Sequence, residues 1–393
     1  NTLIVPIGFV LAVVTAVAVG MWGVMGAAAV IAVLAIAIVF LWPEAGFIVS
    51  LGSIVLGQLV RLPVAGGDTT VILNDILLPG VIFVWLLRRL AGRRWHIPTT
   101  SLTLPLLAMA LIMFLSLVLN QDRYYGTELL TGSLYTLRWL EYLMVLFMGY
   151  QFVATPDRAK KYLIGLICSG VVLSILGFIQ LRLFPDFSFM APQGWDPHIG
   201  RLLSTWFDPN FLAGYLALLT TVALAVVLSK PEHGRRWWWT AIAIMTAAII
   251  LTYSRSGYLA LIVGTGLVTL VRSRVIFLLG ILGFAIVIFS VPRIQERVVG
   301  IRTIDETAKL RLVSWSNAWS VITDHPVIGV GYNFYRYVQV QYGFLDRPTE
   351  HSASGSDSSL LTIWVTTGIV GLLAYLWLGG AIIREAWRTW QDK

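Results

Sequence analysis

Thr252-Tyr253-Ser254-Arg255-Ser256-Gly257-Tyr258 joins two apolar runs, 236–252 and 254–271, with almost no loop to spare. Runs of that length are long enough to cross a bilayer as helices, so the turn between them sits at a membrane boundary. It carries Arg255, a permanent cation. An arginine at bilayer mid-depth costs roughly 2.5–3.5 kcal/mol on insertion scales and less near the interface, which makes an embedded one a functional candidate. The bland alternative is an arginine snorkelling from a helix end.

The rest of the chain has the same character. Apolar residues make up 58% of the 393 and charged residues 12%, which excludes an ordinary soluble globule and a disordered chain. Stretches of spanning length recur near 3–19, 22–42, 44–60, 70–88, 103–120, 134–152, 160–182, 209–229, 236–252, 254–271, 274–291 and 358–383. The expected architecture is all-α: a polytopic integral membrane protein of about twelve transmembrane helices. One transmembrane domain covers 1–393, with a long, partly helical outer loop at 292–357 between the last two spans. Pro43, Gly46, Gly52 and Gly57 mark 44–60 as a bent or re-entrant segment.

Lysines and arginines collect in cytoplasmic loops. Arg88, Arg89, Arg93 and Arg94, then Arg158, Lys160 and Lys161, then Lys230, Arg235 and Arg236, then Arg272 and Arg274, then Arg384, Arg388 and Lys393 all fall on one face of this arrangement. Both termini are therefore expected in the cytoplasm, and the net charge of +8 reads as a topological signal rather than a nucleic-acid surface. The first apolar run merges into a hairpin and is expected to be retained, not cleaved as a signal peptide. The single cysteine, Cys168, is expected to be a small core residue; one cysteine offers neither a disulfide nor a cysteine metal site.

Three connections then share the outer side: 183–208, the hairpin at Arg255, and 292–357. The first holds Pro185, Pro192, Gly194, Pro197 and Gly200, too broken for a long helix. It leads to Asp208-Pro209, which reads as an N-cap with proline in the first helical position. That helix end, together with Asn210, Arg201 and Arg255, could hold an anion. In the third connection Leu312, Trp315, Trp319 and Ile322 fall on one helical face and describe an amphipathic helix lying over the membrane domain. Asp324-His325-Pro326 and Gly329-Val330-Gly331 break it. Most charges here, Arg293, Arg297, Arg302, Lys309 and Arg336 among them, have acidic neighbours and read as solvated or paired, Arg311 excepted.

Four of these elements, in order, resemble the O-antigen ligase and Wzy-type polymerase superfamily. They are Asp208 to Tyr215, Tyr253-Ser254-Arg255-Ser256-Gly257, the run from Arg311 to Gly329-Val330-Gly331, and Leu360-Leu361 to Gly371. The resemblance implies a glycosyltransferase of the bacterial cytoplasmic membrane. Such an enzyme moves a glycan from a polyprenyl (undecaprenyl) diphosphate to a hydroxyl acceptor on the outer face, by inverting, metal-independent chemistry with no cofactor. Arginines beside a helix N-terminus suit that leaving group; Arg255, Arg201, Arg311 and Asn210 are the expected diphosphate ligands. Ligase members carry a histidine about eleven residues before the glycine corresponding to Gly368, and here Asp357 stands there, with His351 six residues earlier. Either could serve as the base that takes the acceptor's proton; for Asp357 the structural alternative is an N-cap of the last helix.

That departure tilts the expectation towards a polymerase lengthening a lipid-linked polysaccharide, with ligation to a lipid A core or a protein as the close competitor. The expected partners are the lipid-linked oligosaccharide donor, a glycan or lipid-linked acceptor, the bilayer and a chain-length regulator, with no nucleic acid. A secondary transporter is the rival from another class. Asp75 with Asn74, and Arg138 with Glu141, put polar groups inside apparent spans, where transporters place coupling sites. Arg138 and Glu141, a helical turn apart, could equally pair with each other.

Overall fold

A computed structural model describes residues 41–59, 61–64, 69–92, 99–193, 195–229, 234–290, 292–299, 306–348, 353 and 355–391. Among these, thirteen α-helices and one small hairpin account for the regular structure. The expected span at 3–19 and all but the last two residues of that at 22–42 lie outside the described residues, as does His351. The chain divides into two compact units, Asn1–Ser53 with Asn74–Ile97 and Ile54–Leu73 with Pro98–Lys393.

In the first unit helix α1 (Pro43–Gly52) gives way to a 3-10 turn at Ser53–Val55, the interruption expected from its glycines. Helix α2 (Leu73–Ala91) supplies the rest of that unit's described structure, whereas the hairpin β1 (Arg61–Val64) and β2 (Thr69–Ile72) that precedes α2 in the chain, paired antiparallel with Arg61 opposite Ile72, belongs to the second unit. The sequence expectation ran a span through residue 70. Thr69, Thr70, Val71 and Ile72 are instead a β-branched run paired as a strand, a conformation that suits stiff side chains.

The second unit holds α3 (Thr103–Leu119), α4 (Thr127–Phe152), α5 (Pro156–Leu183), α6 (Pro209–Leu228), α7 (Arg235–Thr252), α8 (Arg255–Arg272), α9 (Arg274–Ser290), α10 (Pro292–Val299), α11 (Glu306–Asp324), α12 (Tyr335–Gln341) and α13 (Ser359–Gln391). Of these, α5, α6 and α13 are long and apolar enough to cross a membrane by themselves, and α3 and α9 are shorter apolar helices. Helix α6 is the hub and packs most extensively against α8 and α7. A Cβ on Gly257 would overlap the Ala213 methyl, and one on Gly264 would overlap the Thr221 hydroxyl. Small residues on both helices thus allow the close approach that drives helix association in lipid. The core there gathers Leu212, Leu216, Ala217, Trp238, Met245 and Tyr258. Cys168 does not join it; it is exposed on α5, because the inward face of that helix is supplied by Ile167, Gly170 and Ser174.

A second core forms around the loop that follows α9. Ala318, Val321 and Ile322 of α11 pack with Val330, Phe334, Tyr335 and Val338, and with Leu117, Tyr124 and Val365 from the helical body. Tyr124 stacks on Phe334 with centroids 3.9 Å apart. The expected apolar face of α11 is only partly covered by protein. Leu312, Trp315 and Trp319 are exposed, and of the expected face Ile322 alone is buried, beside Ala318 and Val321 in this core. Trp319 still meets the edge of Trp364 at 5.6 Å.

Helix α13 bends at Gly368, whose φ of 68° and ψ of −172° interrupt the helix. The segment after α11 docks into that bend. Val330 N donates to Val365 O at 2.9 Å, Gly331 N to Thr366 O at 3.0 Å, and Ile369 N to Pro326 O at 2.9 Å. Ser116 on α3 donates to Thr366 O at 2.7 Å and to Ile328 O at 3.2 Å. A side chain on Gly368 would overlap Val327 O, and one on Gly329 would meet the Thr366–Gly368 backbone. Two glycine motifs that look like separate helix breakers are the two halves of one backbone joint.

Candidate functional site

The site is built where α6 and α8 begin. Asp208 caps α6: its Oδ1 accepts from Asn210 N at 2.7 Å and Phe211 N at 3.0 Å, with Pro209 in the first turn. Ser254 caps α8, its Oγ accepting from Gly257 N at 3.2 Å. Those bonds correct one expectation. The first free N–H groups of α6 are occupied by the protein's own carboxylate, so an anion arriving here must be met by side chains.

The side chains are in place for that. Ser254 Oγ donates to Asn210 Oδ1 at 2.8 Å and lies 3.0 Å from Ser256 Oγ. Arg201 Nε donates to Thr252 O at 2.8 Å, beside a backbone bond from Leu202 N to Leu251 O at 2.9 Å. Tyr253, at φ 50°, takes the left-handed conformation that turns the chain between α7 and α8. Arg201, Asn210 and Arg255 are therefore held in one short stretch of structure, all partly exposed or at its surface.

A residue that sequence reasoning set aside secures this arrangement. Arg293 donates to Gly200 O at 2.9 Å and Ile199 O at 2.7 Å, and its guanidinium lies 4.3 Å from the Tyr253 ring centroid. It clamps the three connections together. Nothing in the local sequence distinguishes it from the other basic residues near it.

The remaining expected residues stand on other elements. Arg311 is exposed on α11, which packs chiefly against α13 rather than α6 or α8. Asp357 is exposed at φ 56°, directly before α13. It is not the cap of that helix: Ser358 is, through Thr362 N to Ser358 O at 2.8 Å and Leu361 N to Ser358 Oγ at 3.5 Å. The carboxylate is thus displayed rather than consumed by capping.

A cleft of ≈ 240 Å³ is lined by Leu119, Asn120, Arg123, His325, Pro326 and residues 327–329. His325 Nδ1 is 3.4 Å from Arg123 Nη1. Burial first, and the Arg123 cation second, hold the imidazole below its ordinary pKa, while Asp324 works in the opposite direction. Asp324 accepts from Tyr342 OH at 2.6 Å, and burial with that bond pushes the phenol up to about 12. The sequence marked His325 only as a helix breaker.

Residues 240–376 match the family model of the O-antigen ligases. The matched region is about a third of the chain and holds Arg255, Arg311, His325, Asp357 and the Gly368 joint, while Arg201 and Asn210 precede it. The resemblance to the O-antigen ligase and polymerase superfamily thus has support in this region. No curated protein matches the chain. The apolar helices describe a helical integral membrane protein, about a third of which is similar to the O-antigen ligases.

Proposed function

We propose that this protein is a polysaccharide polymerase of the O-antigen type. It transfers a glycan from a polyprenyl diphosphate to a sugar hydroxyl on the outer face of the bacterial cytoplasmic membrane. The observation that carries the reading is the convergence of Arg201, Asn210 and Arg255 on the Thr252–Ser254 turn. In this reading Arg255 and Arg201 receive the diphosphate and Asn210 presents its amide to a phosphate or sugar oxygen. Arg311 would approach from the loop over the membrane domain.

The acceptor hydroxyl gives its proton to a base, Asp357 or His351, and its oxygen attacks the anomeric carbon. The bond from that carbon to the diphosphate oxygen breaks on the opposite face, inverting the centre. The electron pair leaves with the diphosphate, where guanidinium hydrogen bonds stabilise the growing charge. About twelve spans with both termini in the cytoplasm put these residues on the outer side, and a chain-length regulator is the expected partner. No metal or cofactor enters the scheme. Ligation to a lipid A core or protein is the second reading, favoured by the description of the matched family.

Transfer assayed in liposomes with polyprenyl-diphosphate oligosaccharide as sole substrate tests this directly. A ladder of longer lipid-linked products that disappears in Arg255→Ala is the expected result. Products that form only when a lipid A core or protein acceptor is added would assign ligation instead, and full activity in Arg255→Ala would overturn the diphosphate assignment.

A further inference from the structure

The cleft at His325 takes no part in the transfer scheme, yet its walls are locked together. One wall is the end of α3 with the 3-10 turn Gln121–Arg123, and the other is the 325–329 segment held in the α13 joint. Three side chains tie them: Ser116 Oγ donates to Ile328 O at 3.2 Å, Asn120 Nδ2 to Gly329 O at 3.4 Å, and Tyr124 OH to Val330 O at 3.0 Å. A recess whose walls are already ordered loses little freedom when a ligand fills it.

The polar groups inside it are few and their directions are fixed. Asn120 is 4% exposed, and its Nδ2 also donates to Ser116 O at 2.8 Å. Both partners of Nδ2 are carbonyls, so the amide cannot be flipped and Oδ1 is the atom left over. Among the described residues no donor reaches that oxygen. A buried acceptor without a donor is costly, so this one calls for a hydrogen bond from whatever occupies the cleft. His325 Nδ1 faces Arg123 Nη1 at 3.4 Å. A guanidinium only donates, so Nδ1 is the acceptor and the ring proton sits on Nε2.

The lining thus combines donors on Arg123 and His325, one acceptor on Asn120, and apolar surface from Leu119, Pro326 and Ile328. A metal ion or an amine would find no carboxylate among these lining residues. A phosphate, which mainly accepts, would set its oxygens against Asn120 Oδ1. Sugar hydroxyls donate or accept by rotating, and the C–H faces of a sugar ring suit apolar walls. At ≈ 240 Å³ the cleft is smaller than the about 300–1,000 Å³ of sites for drug-sized ligands, which suits one ring rather than a chain. We propose that this cleft binds a single pyranose residue of a glycan, with Asn120 Oδ1 accepting from one hydroxyl and Arg123 and His325 Nε2 donating to others. What that sugar is attached to rests on the polymerase reading above: the alternation of basic residues that puts Arg255 on the outer side also puts the end of α3 there, so the cleft selects one residue of the glycan handled on that face.

Saturation-transfer NMR on the full chain in phosphatidylcholine nanodiscs reads the cleft without any turnover. The probes are methyl glycosides of a hexose, a deoxyhexose, an N-acetylhexosamine and a hexuronic acid. At least one should receive saturation from the wild type, and Arg123→Ala and His325→Gln should each cut that signal several-fold in proteins that still melt cooperatively. Arg123 is exposed, so Arg123→Ala decides the matter if His325→Gln unfolds. Absence of saturation in every glycoside, or a full signal in Arg123→Ala, overturns the inference. So does displacement of the sugar by methyl phosphate, which would assign the cleft to anions. Binding and transfer fail separately: Arg123-dependent glycoside binding by a protein that forms no product leaves the cleft and removes the polymerase reading, whereas product formed without such binding removes the cleft alone.

Discussion

Ser254 Oγ, which caps α8 by accepting from Gly257 N at 3.2 Å, also donates to Asn210 Oδ1 at 2.8 Å. One hydroxyl thereby fixes the start of α8 to the start of α6, although the two residues are 44 apart in sequence. Ser254→Ala should cost about 1 kcal/mol through the lost cap and lower transfer by more than the stability loss explains, since Asn210 loses its anchor. Thermal melts beside initial rates check this; a rate that merely tracks the melt would make the bond structural only.

For Arg255 the expectation is sharper. Arg255→Ala should abolish transfer with the melting temperature unchanged within a few degrees, and Arg255→Lys should restore little, because a lysine lacks the planar fork that grips two phosphate oxygens. Recovery to near wild-type rates with lysine would show that only charge is needed.

Asp357 allows a cleaner substitution than alanine. Its φ of 56° favours glycine, so Asp357→Gly should keep or slightly raise the melting temperature while removing the carboxylate. Loss of transfer in a protein that melts normally would support Asp357 as the base. Retained transfer would move that role to His351.

Gly368→Ala should be among the most damaging single changes in the chain. The backbone conformation alone penalises it by roughly 1–3 kcal/mol, and the new methyl would overlap Val327 O. Gly379→Ala and Gly380→Ala, where nothing lies within 4 Å, are the controls and should be neutral or mildly stabilising in a helix. Melting temperatures of the three variants settle the comparison.

His325 links stability to pH. Its folded pKa is below the ordinary value, so the unfolded chain takes up a proton at higher pH than the folded one. The contribution is fully present above about pH 6.5 and is lost as pH falls below it. Between about pH 7.5 and pH 5.5 the melting temperature of the wild type should therefore drop more than that of His325→Gln. Arg123→Ala should flatten the dependence in the same direction.

Much of this was legible in the residues. Asp208-Pro209 read as a cap and is one; the boundaries of α5 to α9 fall within a few residues of the apolar runs. The cationic turn at Arg255 also stands where its neighbours required. Less legible were the faces. Leu312, Trp315 and Trp319 share a helical stripe but stay exposed, while Ala318, Val321 and Ile322 are the buried residues of α11. Asp357 looked like a cap because its type caps well, yet Ser358 takes the place once the chain enters α13 at a positive φ.

The sequence by itself determined that this is a chain of apolar helices with a cationic hairpin and a polar loop. In lipid every backbone polar group must be satisfied within its own segment, so length and hydropathy suffice to specify a helix. Only the tertiary structure decided which helix ends meet. It put Arg201 on Thr252, Arg293 across Gly200 and Tyr253, Arg138 and Arg336 over the Tyr135 ring, and the 326–331 backbone into the bend of α13. Each of these joins residues far apart in sequence through one or two hydrogen bonds or a ring face, and such contacts leave no periodic trace in the local pattern.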